Sequence, residues 1–210
     1  MFIRALIPCT TLAVCSIASA DLVNPLVPAW AGDSTASRYE WNSFTEAYNA
    51  PNFPDSPFSQ DVMLFNTTPG AIIAGSGNIY NPAGGLDIHM YGSFAFELAV
   101  LNIATSGSEL DYDDTYLFVS SANEAEYTEI YASAITRSSE PGGFGGVNVT
   151  VAYEFDTSGV EFEIADWGFF AKGTTAHISL DAARLDFNTV PVPASILGLG
   201  LISATRRRRR

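Results

Sequence analysis

The clearest pattern in the chain is an alternation of apolar and polar residues between positions 147 and 156. Valine and aromatic side chains fall on one face of an extended segment, and mostly polar side chains fall on the other. A turn sequence at 156–159 is followed by a second alternating run at 160–164. Because successive side chains of a strand point to opposite faces, this pattern predicts a hairpin with one buried face and one solvated face.

Two other stretches predict strands of a different kind. Residues 93–103 are apolar on both faces, which is typical of a central strand that is covered on both sides. Residues 126–137 mix two periods, and Tyr127, Tyr131 and Ile135 at a spacing of four would also suit a helix. Threonine, tyrosine and isoleucine fit a pleated surface, so we predict a strand here as well.

Sequences rich in glycine, proline and asparagine separate the remaining extended runs, which lie at 38–41, 61–65, 71–74, 86–91, 116–119 and 176–187. About ten short strands with little helical periodicity indicate an all-β chain. We therefore predict an antiparallel β-sandwich, most simply of the jelly-roll type. About 170 residues are enough to form one domain with a sizeable core.

The first twenty residues have the organisation of a secretory signal peptide. Arg4 provides a positive charge, residues 5–17 are largely apolar, and Ala18 and Ala20 form an A-x-A cleavage pattern. We expect cleavage after Ala20, so that Asp21 begins the exported protein. Both cysteines of the chain lie in the leader, so the exported protein would be stabilised without disulfides.

A lipid anchor at the leader is the alternative to simple cleavage. Cys15 lies near the end of the apolar stretch, where a lipoprotein would carry its modified cysteine. Val14 stands at the preceding position, where a small residue is expected. The sequence therefore favours the signal peptide over the lipoprotein anchor.

The C-terminal residues 190–210 combine an extended proline motif, an apolar stretch at 196–202 and a block of arginines. The prolines hold the motif extended, the apolar stretch suits lipid, and the arginines favour the cytoplasmic side of a membrane. The motif consists of Val190, Pro191, Val192, Pro193 and Ala194. The basic block consists of Arg206, Arg207, Arg208, Arg209 and Arg210.

This three-part tail resembles the C-terminal sorting signal of the PEP-CTERM family. The resemblance implies export, transient anchoring in the inner membrane by a short hydrophobic helix, and processing by an exosortase-type membrane protease. Val192 departs from the family pattern, which typically has glutamate there. Residues 194–205 would span about 18 Å as a helix, against a hydrocarbon core of about 30 Å. The helix would therefore need bilayer thinning or arginine snorkelling, and the alternative is a basic tail after a hydrophobic strand.

These boundaries give a signal peptide at 1–20, a passenger domain at 21–188 and a sorting signal at 189–210. The whole chain carries a net charge of −13. The passenger domain contains all 23 acidic residues of the chain but only four of its ten Lys and Arg residues. Its net charge is therefore −19. Such a domain repels nucleic acid and favours solubility outside the cell.

The densest acidic cluster contains Glu109, Asp111, Asp113 and Asp114. Oxygen ligands in a loop suit Ca²⁺, which extracellular domains often bind weakly. The spacing does not match an EF-hand, because the required glycine and the final glutamate are missing. The cluster is either a structural calcium site or a solvated acidic loop.

Two polar groupings suggest hydrolase chemistry, but their spacing argues against it. His177, Ser179 and Asp181 share one face of a strand, where neighbours lie roughly 6.6 Å apart, beyond a hydrogen bond of about 3 Å. We therefore expect an exposed polar face there. Glu161 and Glu163 also share a face, which should meet water rather than form an acid and nucleophile pair. The sequence predicts a protein that is not an enzyme.

The aromatic residues leave a second function open. Trp30, Trp41, Trp167, Phe169 and Phe170 offer rings that could stack on a sugar, although such residues more often fill a core. The favoured hypothesis is a non-enzymatic protein delivered to the cell surface or to extracellular polysaccharide. The alternative is a secreted carbohydrate-binding module, stabilised by Ca²⁺ if the acidic cluster binds it.

Overall fold

The computed structural model describes residues 21–142 and 146–189. Asp21, the expected first residue of the exported protein, is exposed at the beginning of this range. The other predicted sorting features lie outside the described residues, namely Ala18, Ala20, the 190–194 motif, the short hydrophobic helix and the arginine block at 206–210.

The described residues are organised as β-strands, with one short 3-10 helix at Tyr112–Asp114, so the all-β prediction is confirmed. Within this part of the chain, no helix has the length and apolar character needed to cross a membrane. The strands are β1 (Ala36–Trp41), β2 (Val62–Asn66), β3 (Ile72–Ile73), β4 (Ile79–Asn81), β5 (Leu86–Gly92), β6 (Phe96–Gly107), β7 (Tyr116–Ser120), β8 (Tyr127–Tyr131), β9 (Ala134–Pro141), β10 (Val147–Asp156), β11 (Asp166–Gly173) and β12 (Ile178–Thr189).

The strands form two antiparallel sheets, as expected for a β-sandwich. The seven-stranded sheet has the order β3-β4-β12-β6-β10-β9, and β1 pairs with the later part of β12. The five-stranded sheet has the order β2-β5-β11-β7-β8. One hydrophobic core contains buried side chains from both sheets, so it lies between them.

The core forms because alternate residues of the strands are apolar. Along β5, every second side chain is buried, beginning with Leu86. Trp41 and Trp167 are fully enclosed, and the rings of Trp167 and Phe187 have centroids 4.9 Å apart. Burying an aromatic side chain of this kind contributes about 1.5–3 kcal/mol. The expectation that the five aromatic residues fill the core is met by Trp41, Trp167 and Phe169, whereas Trp30 and Phe170 are only partly buried.

The prediction of a central strand within 93–103 is confirmed by β6, which lies between β12 and β10. Both of its faces are buried from Ala99 to Thr105. The N-terminal segment covers the outer face: the Leu26 amide donates to Asn102 Oδ1 at 2.8 Å, and Asn102 Nδ2 donates to the Leu26 carbonyl at 3.2 Å. This buried asparagine therefore fixes the segment on the sheet together with Arg184, which also donates to the Leu26 carbonyl, and Thr150, which accepts from the Val23 amide.

The prediction of a strand at residues 126–137 is confirmed in type, but the segment forms two strands rather than one. They form β8 and the beginning of β9, with a turn at 132–133. β8 is the edge of the five-stranded sheet and β9 is the edge of the seven-stranded sheet. The chain therefore crosses from one sheet to the other at this turn.

The predicted hairpin between residues 147–156 and 160–164 is wrong. β10 pairs with β6 and β9, residues 160–164 form no strand, and β11 belongs to the other sheet. Thr157 Oγ1 donates to the Phe96 carbonyl at 2.7 Å, which directs the chain across the end of the sandwich. The predicted solvated face is also wrong in part, because Thr150 is buried and accepts a hydrogen bond from the Val23 amide.

Candidate functional site

A row of aromatic rings crosses the outer face of the five-stranded sheet. Inward positions of these strands carry core residues, so the alternate positions face solvent. The strand register places one outward ring from every strand in a line. We call this line the aromatic row; from β2 to β8 it consists of Phe65, His89, Phe170, Tyr116 and Tyr131.

Four rings of the aromatic row contact their neighbours in the row directly, and Phe65 contacts Tyr91 instead. Tyr116 stacks on Phe170, with centroids 4.9 Å apart and planes inclined by 13°. His89 meets the other side of Phe170 edge to face at 4.7 Å, and Tyr131 lies 6.1 Å from Tyr116. Strands about 4.8 Å apart give the row a length of about 19 Å.

A gap in the side chains lies next to the row. Gly168 pairs with Tyr91 on one side and with Phe118 on the other. A Cβ atom at Gly168 would lie 3.0 Å from Phe170 Cε2 and 3.1 Å from Tyr91 Cδ1. Because glycine has no side chain, the rings of Phe170 and Tyr91 close over it. On the side of β7, Tyr127 stacks on Phe118 at 5.7 Å.

Two depressions flank the aromatic row on this face. The first, which we call the aromatic depression, has a volume of about 480 Å³ and includes Gly168 in its lining. Its walls include Tyr91, Phe118, Glu124, Tyr127, Asp166 and Phe170. The second, the acidic depression, has a volume of about 400 Å³. Its walls include Asp87, Asp113, Asp114, Tyr116, Tyr131 and Lys172.

His89 fixes the polar edge of the row. Its Nε2 lies 3.0 Å from Asp87 Oδ1, and its Nδ1 lies 3.0 Å from the Tyr91 hydroxyl. An ionised carboxylate only accepts, so Nε2 donates to Asp87, and in the neutral ring Nδ1 accepts from Tyr91. Burial, followed by the charge of Asp87, raises the pKa of Tyr91, so its hydroxyl stays protonated and remains a donor.

The row presents aromatic surface to solvent. Tyr131 is 60% exposed, whereas Phe170 and Tyr116 are partly covered by their neighbours, and Tyr127 beside the row is 68% exposed. Exposed aromatic rings that are aligned and in contact form a contiguous apolar patch, which is typical of a binding surface. Polar atoms at the ends of the patch provide hydrogen-bonding groups for a hydroxylated ligand.

The predicted calcium ligands are not brought together. Glu109 is held by Arg137, whose Nη2 lies 2.7 Å from Glu109 Oε1, and this pairing lowers the pKa of Glu109. Asp111 accepts from the Thr174 amide at 3.1 Å. Only Asp113 and Asp114 line the acidic depression. Within 21–142 and 146–189, no group of three or more His, Cys, Asp or Glu residues could hold a metal ion.

The expectation of an exposed polar face at His177, Ser179 and Asp181 is met by His177, which is exposed, and is wrong for Asp181. Asp181 is only 7% exposed and accepts from Ser179 Oγ at 2.7 Å. These two side chains lie within hydrogen-bond reach although they occupy alternate positions, at a point where β12 has a bulge after Leu180. His177 pairs instead with the Tyr80 hydroxyl at 3.0 Å, so the three residues do not form a catalytic relay. Burial raises the pKa of Asp181.

Glu161 and Glu163 are both exposed, as predicted, but they lie in the connection before β11 rather than on a strand. Glu161 lines an open depression of about 640 Å³ between this connection and β8, together with Glu126 and Asp156. Glu163 is not among its lining residues. The two glutamates therefore do not face one cleft as an acid and nucleophile pair would.

Sequence reasoning identified only one member of the aromatic row, Phe170, and set it beside core residues. A signal for the others was present in the alternation of β5, where Asp87, His89 and Tyr91 take the solvent positions. Solvent positions of a half-buried strand usually carry small or charged polar residues. Aromatic residues at several such positions indicate a surface that is used for binding.

Comparison with protein-family models, with curated proteins and with solved structures found no match to this chain.

Proposed function

We propose that this protein is a non-enzymatic, exported polysaccharide-binding protein, and that it binds its ligand along the aromatic row. The single observation that carries the proposal is the alignment of five rings across all strands of one sheet face. Sugar rings have apolar faces that stack on aromatic rings, and hydroxyl edges that hydrogen-bond to polar groups. The row supplies the rings, and residues such as Asp87 and Tyr91 supply the polar groups.

The shape of the surface favours a chain rather than a single sugar. A row about 19 Å long accommodates several sugar rings side by side. The aromatic and acidic depressions extend the contact on both sides of the row. An open surface of this kind suits an internal section of a polymer, because neither end of the polymer needs to enter a closed cavity.

Aromatic rows on sheets also bind single-stranded nucleic acid, and charge distinguishes the two ligands. A nucleic-acid surface needs basic residues to neutralise phosphates. The passenger domain has four Lys and Arg residues against 23 acidic residues. A neutral or positively charged polymer therefore fits this surface, and a polyphosphate does not.

The strand order supports the jelly-roll form of the sandwich. Eight main strands begin at β4. Their order is β4-β12-β6-β10 in one sheet and β5-β11-β7-β8 in the other. These are the orders produced when one long antiparallel ribbon is wrapped into two four-stranded sheets. On this proposal, β1, β2, β3 and β9 are additions at the margins.

The proposed location is the cell surface or an extracellular polysaccharide matrix. The leader with Ala18 and Ala20 and the PEP-CTERM-like tail support export and processing by an exosortase-type protease. Mass spectrometry of the protein from its host should find an N-terminus at Asp21 and a C-terminus near residues 190–194. Recovery of the intact chain from the cytosol, with Arg210 still present, would contradict this location.

Affinity gel electrophoresis tests the binding proposal. We expect the exported protein to be retarded by at least one soluble polysaccharide, and Phe170→Ala and Tyr131→Ala to reduce the retardation. Phe58→Ala is the matched control, because Phe58 is 68% exposed, belongs to no strand and lines neither depression. The proposal fails if a broad panel causes no retardation, or if the control weakens binding as much as Phe170→Ala does.

A further inference from the structure

The aromatic depression combines two features that both attract positive charge. Four of its walls are rings, from Tyr91, Phe118, Tyr127 and Phe170. The faces of such rings carry negative potential, which attracts an ammonium group within about 6 Å of the ring centre. The depression also contains two carboxylates, which are contributed by Glu124 and Asp166.

The basic residues of the domain leave this depression uncompensated. No Lys, Arg or His residue is among the described residues that line it. Lys172 lies instead in the acidic depression on the other side of the row. The carboxylates of Glu124 and Asp166 therefore act on any bound group without a neighbouring cation to neutralise them.

Glu124 occupies an unfavourable backbone conformation at this site. Its φ is 54°, in the left-handed region that asparagine and glycine adopt more readily. The turn is fixed by the Glu124 amide, which donates to the Ser121 carbonyl at 2.9 Å. A glutamate is disfavoured here because its Cβ crowds the backbone, and such strain is typical of positions where the side chain serves a ligand.

The wider face is acidic as well. Its carboxylates are Asp87, Asp113, Asp114, Glu124, Glu129 and Asp166. A polymer of uronic acids would bring further negative charge to this face and be repelled. A polymer that carries amines would be attracted both by the rings and by the carboxylates.

We propose that the ligand is an amino-sugar polymer with free, protonated amino groups, and that the aromatic depression binds one of these groups. This inference rests on the proposed function and specifies its ligand class. The sugar rings stack along the aromatic row, and one ammonium group enters the aromatic depression, which Glu124 and Asp166 line.

A matched pair of ligands tests the inference. We would titrate the exported protein by calorimetry, at mildly acidic pH, with a β-1,4-linked glucosamine oligomer and with its fully N-acetylated counterpart of equal length. The free amine should bind about tenfold more tightly, since a desolvated cation–π contact with carboxylate neighbours is worth about 1.4 kcal/mol or more. Added salt should weaken the amine-bearing ligand more than the acetylated one.

Two variants separate the amine site from the stacking surface. Glu124→Gln and Asp166→Asn should lower the affinity for the glucosamine oligomer until it is close to that for the acetylated oligomer. The affinity for the acetylated oligomer should stay unchanged. Glu97→Gln is the matched control, because Glu97 is an exposed acid on β6 in the other sheet. That control should keep the tenfold preference.

The outcomes distinguish this inference from the proposed function. Equal or tighter binding of the acetylated oligomer, or tight binding of polygalacturonate, would overturn the amine preference while leaving polysaccharide binding intact. If neither oligomer nor any polysaccharide binds, or if Phe170→Ala leaves an observed binding unchanged, both the amine preference and the proposed function fail.

Discussion

Phe170 and Tyr116 stack in parallel across β11 and β7, with ring centroids 4.9 Å apart and planes inclined by only 13°. The two residues are direct partners in the sheet register, so the backbone holds their rings side by side. His89 then blocks the other side of Phe170. The centre of the aromatic row is therefore fixed before a ligand arrives, which lowers the entropy cost of binding.

Gly168→Ala should weaken polysaccharide binding while preserving the fold. The added Cβ would lie 3.0 Å from Phe170 and 3.1 Å from Tyr91, so it would fill the floor of the aromatic depression and displace ring edges. We expect at least a tenfold loss of affinity, corresponding to about 1.4 kcal/mol. Calorimetry with a polysaccharide that the wild-type protein binds measures this loss of affinity. Gly159→Ala is the control, because a Cβ there meets nothing within 4 Å.

Unchanged affinity in Gly168→Ala would show that the aromatic depression is not part of the contact. A circular-dichroism melt distinguishes loss of binding from loss of folding, since the Cβ contacts side-chain rings rather than backbone.

Glu124→Gly should make the protein more stable and should lower its affinity for the amine-bearing ligand. The substitution relieves a left-handed backbone position, which should raise the free energy of unfolding by up to about 1 kcal/mol. It also removes a carboxylate from the aromatic depression. Urea unfolding and calorimetry on the same sample measure the two effects. A less stable variant with undiminished binding would contradict the role given to Glu124.

Asn102→Ala should destabilise the protein by about 1–3 kcal/mol. Asn102 is fully buried, and its side chain satisfies both the amide and the carbonyl of Leu26. Without it, the N-terminal segment loses its attachment to the outer face of β6. Denaturant unfolding would show the lower stability, and a loss close to zero would show that the segment is not held by this residue.

Asp181 should give the protein a specific pH dependence. Burial raises the pKa of Asp181 above its ordinary value of 3.8, so the unfolded chain releases this proton at lower pH than the folded chain does. The contribution of Asp181 to stability is therefore most favourable below that value and declines as pH rises to the folded pKa. Asp181→Asn removes this dependence.

The measurement compares wild type with Asp181→Asn by urea unfolding at a series of pH values. The difference in unfolding free energy should move in favour of the variant as pH rises from 3.8. A difference that is constant, or that moves in favour of wild type, would show that the hydrogen bonds from Ser179, Ser106 and Asn78 outweigh burial at this carboxylate.

The sequence predicted the strands better than their partners. The pattern of apolar residues identified β10 and β6, whose two faces are both buried, because a buried strand face carries apolar residues at every second position. The same alternation misled the assignment at 160–164, where Val160, Phe162 and Ile164 pack against the core from a connection that crosses between sheets. Local periodicity reports which side chains are buried, and it does not report which sheet receives them.

The aromatic row could not be read from the chain for a related reason. Its members come from β2, β5, β7, β8 and β11, and their alignment depends on the register of four strand pairs. Phe170 directly follows Phe169. The Phe169 ring lies in the core and the Phe170 ring lies on the surface, because successive side chains of a strand point to opposite faces. What the sequence did offer was aromatic residues at solvent positions, such as Tyr91 and Tyr131.

The most direct test of the account is a two-dimensional amide NMR titration of the exported protein with the glucosamine oligomer. We predict chemical-shift changes concentrated on β5, β7, β8 and β11, around His89, Phe170 and Tyr116, and their loss in Phe170→Ala. Changes confined to the seven-stranded sheet, or saturating binding that Phe170→Ala leaves intact, would contradict the claim that the aromatic row is the binding surface.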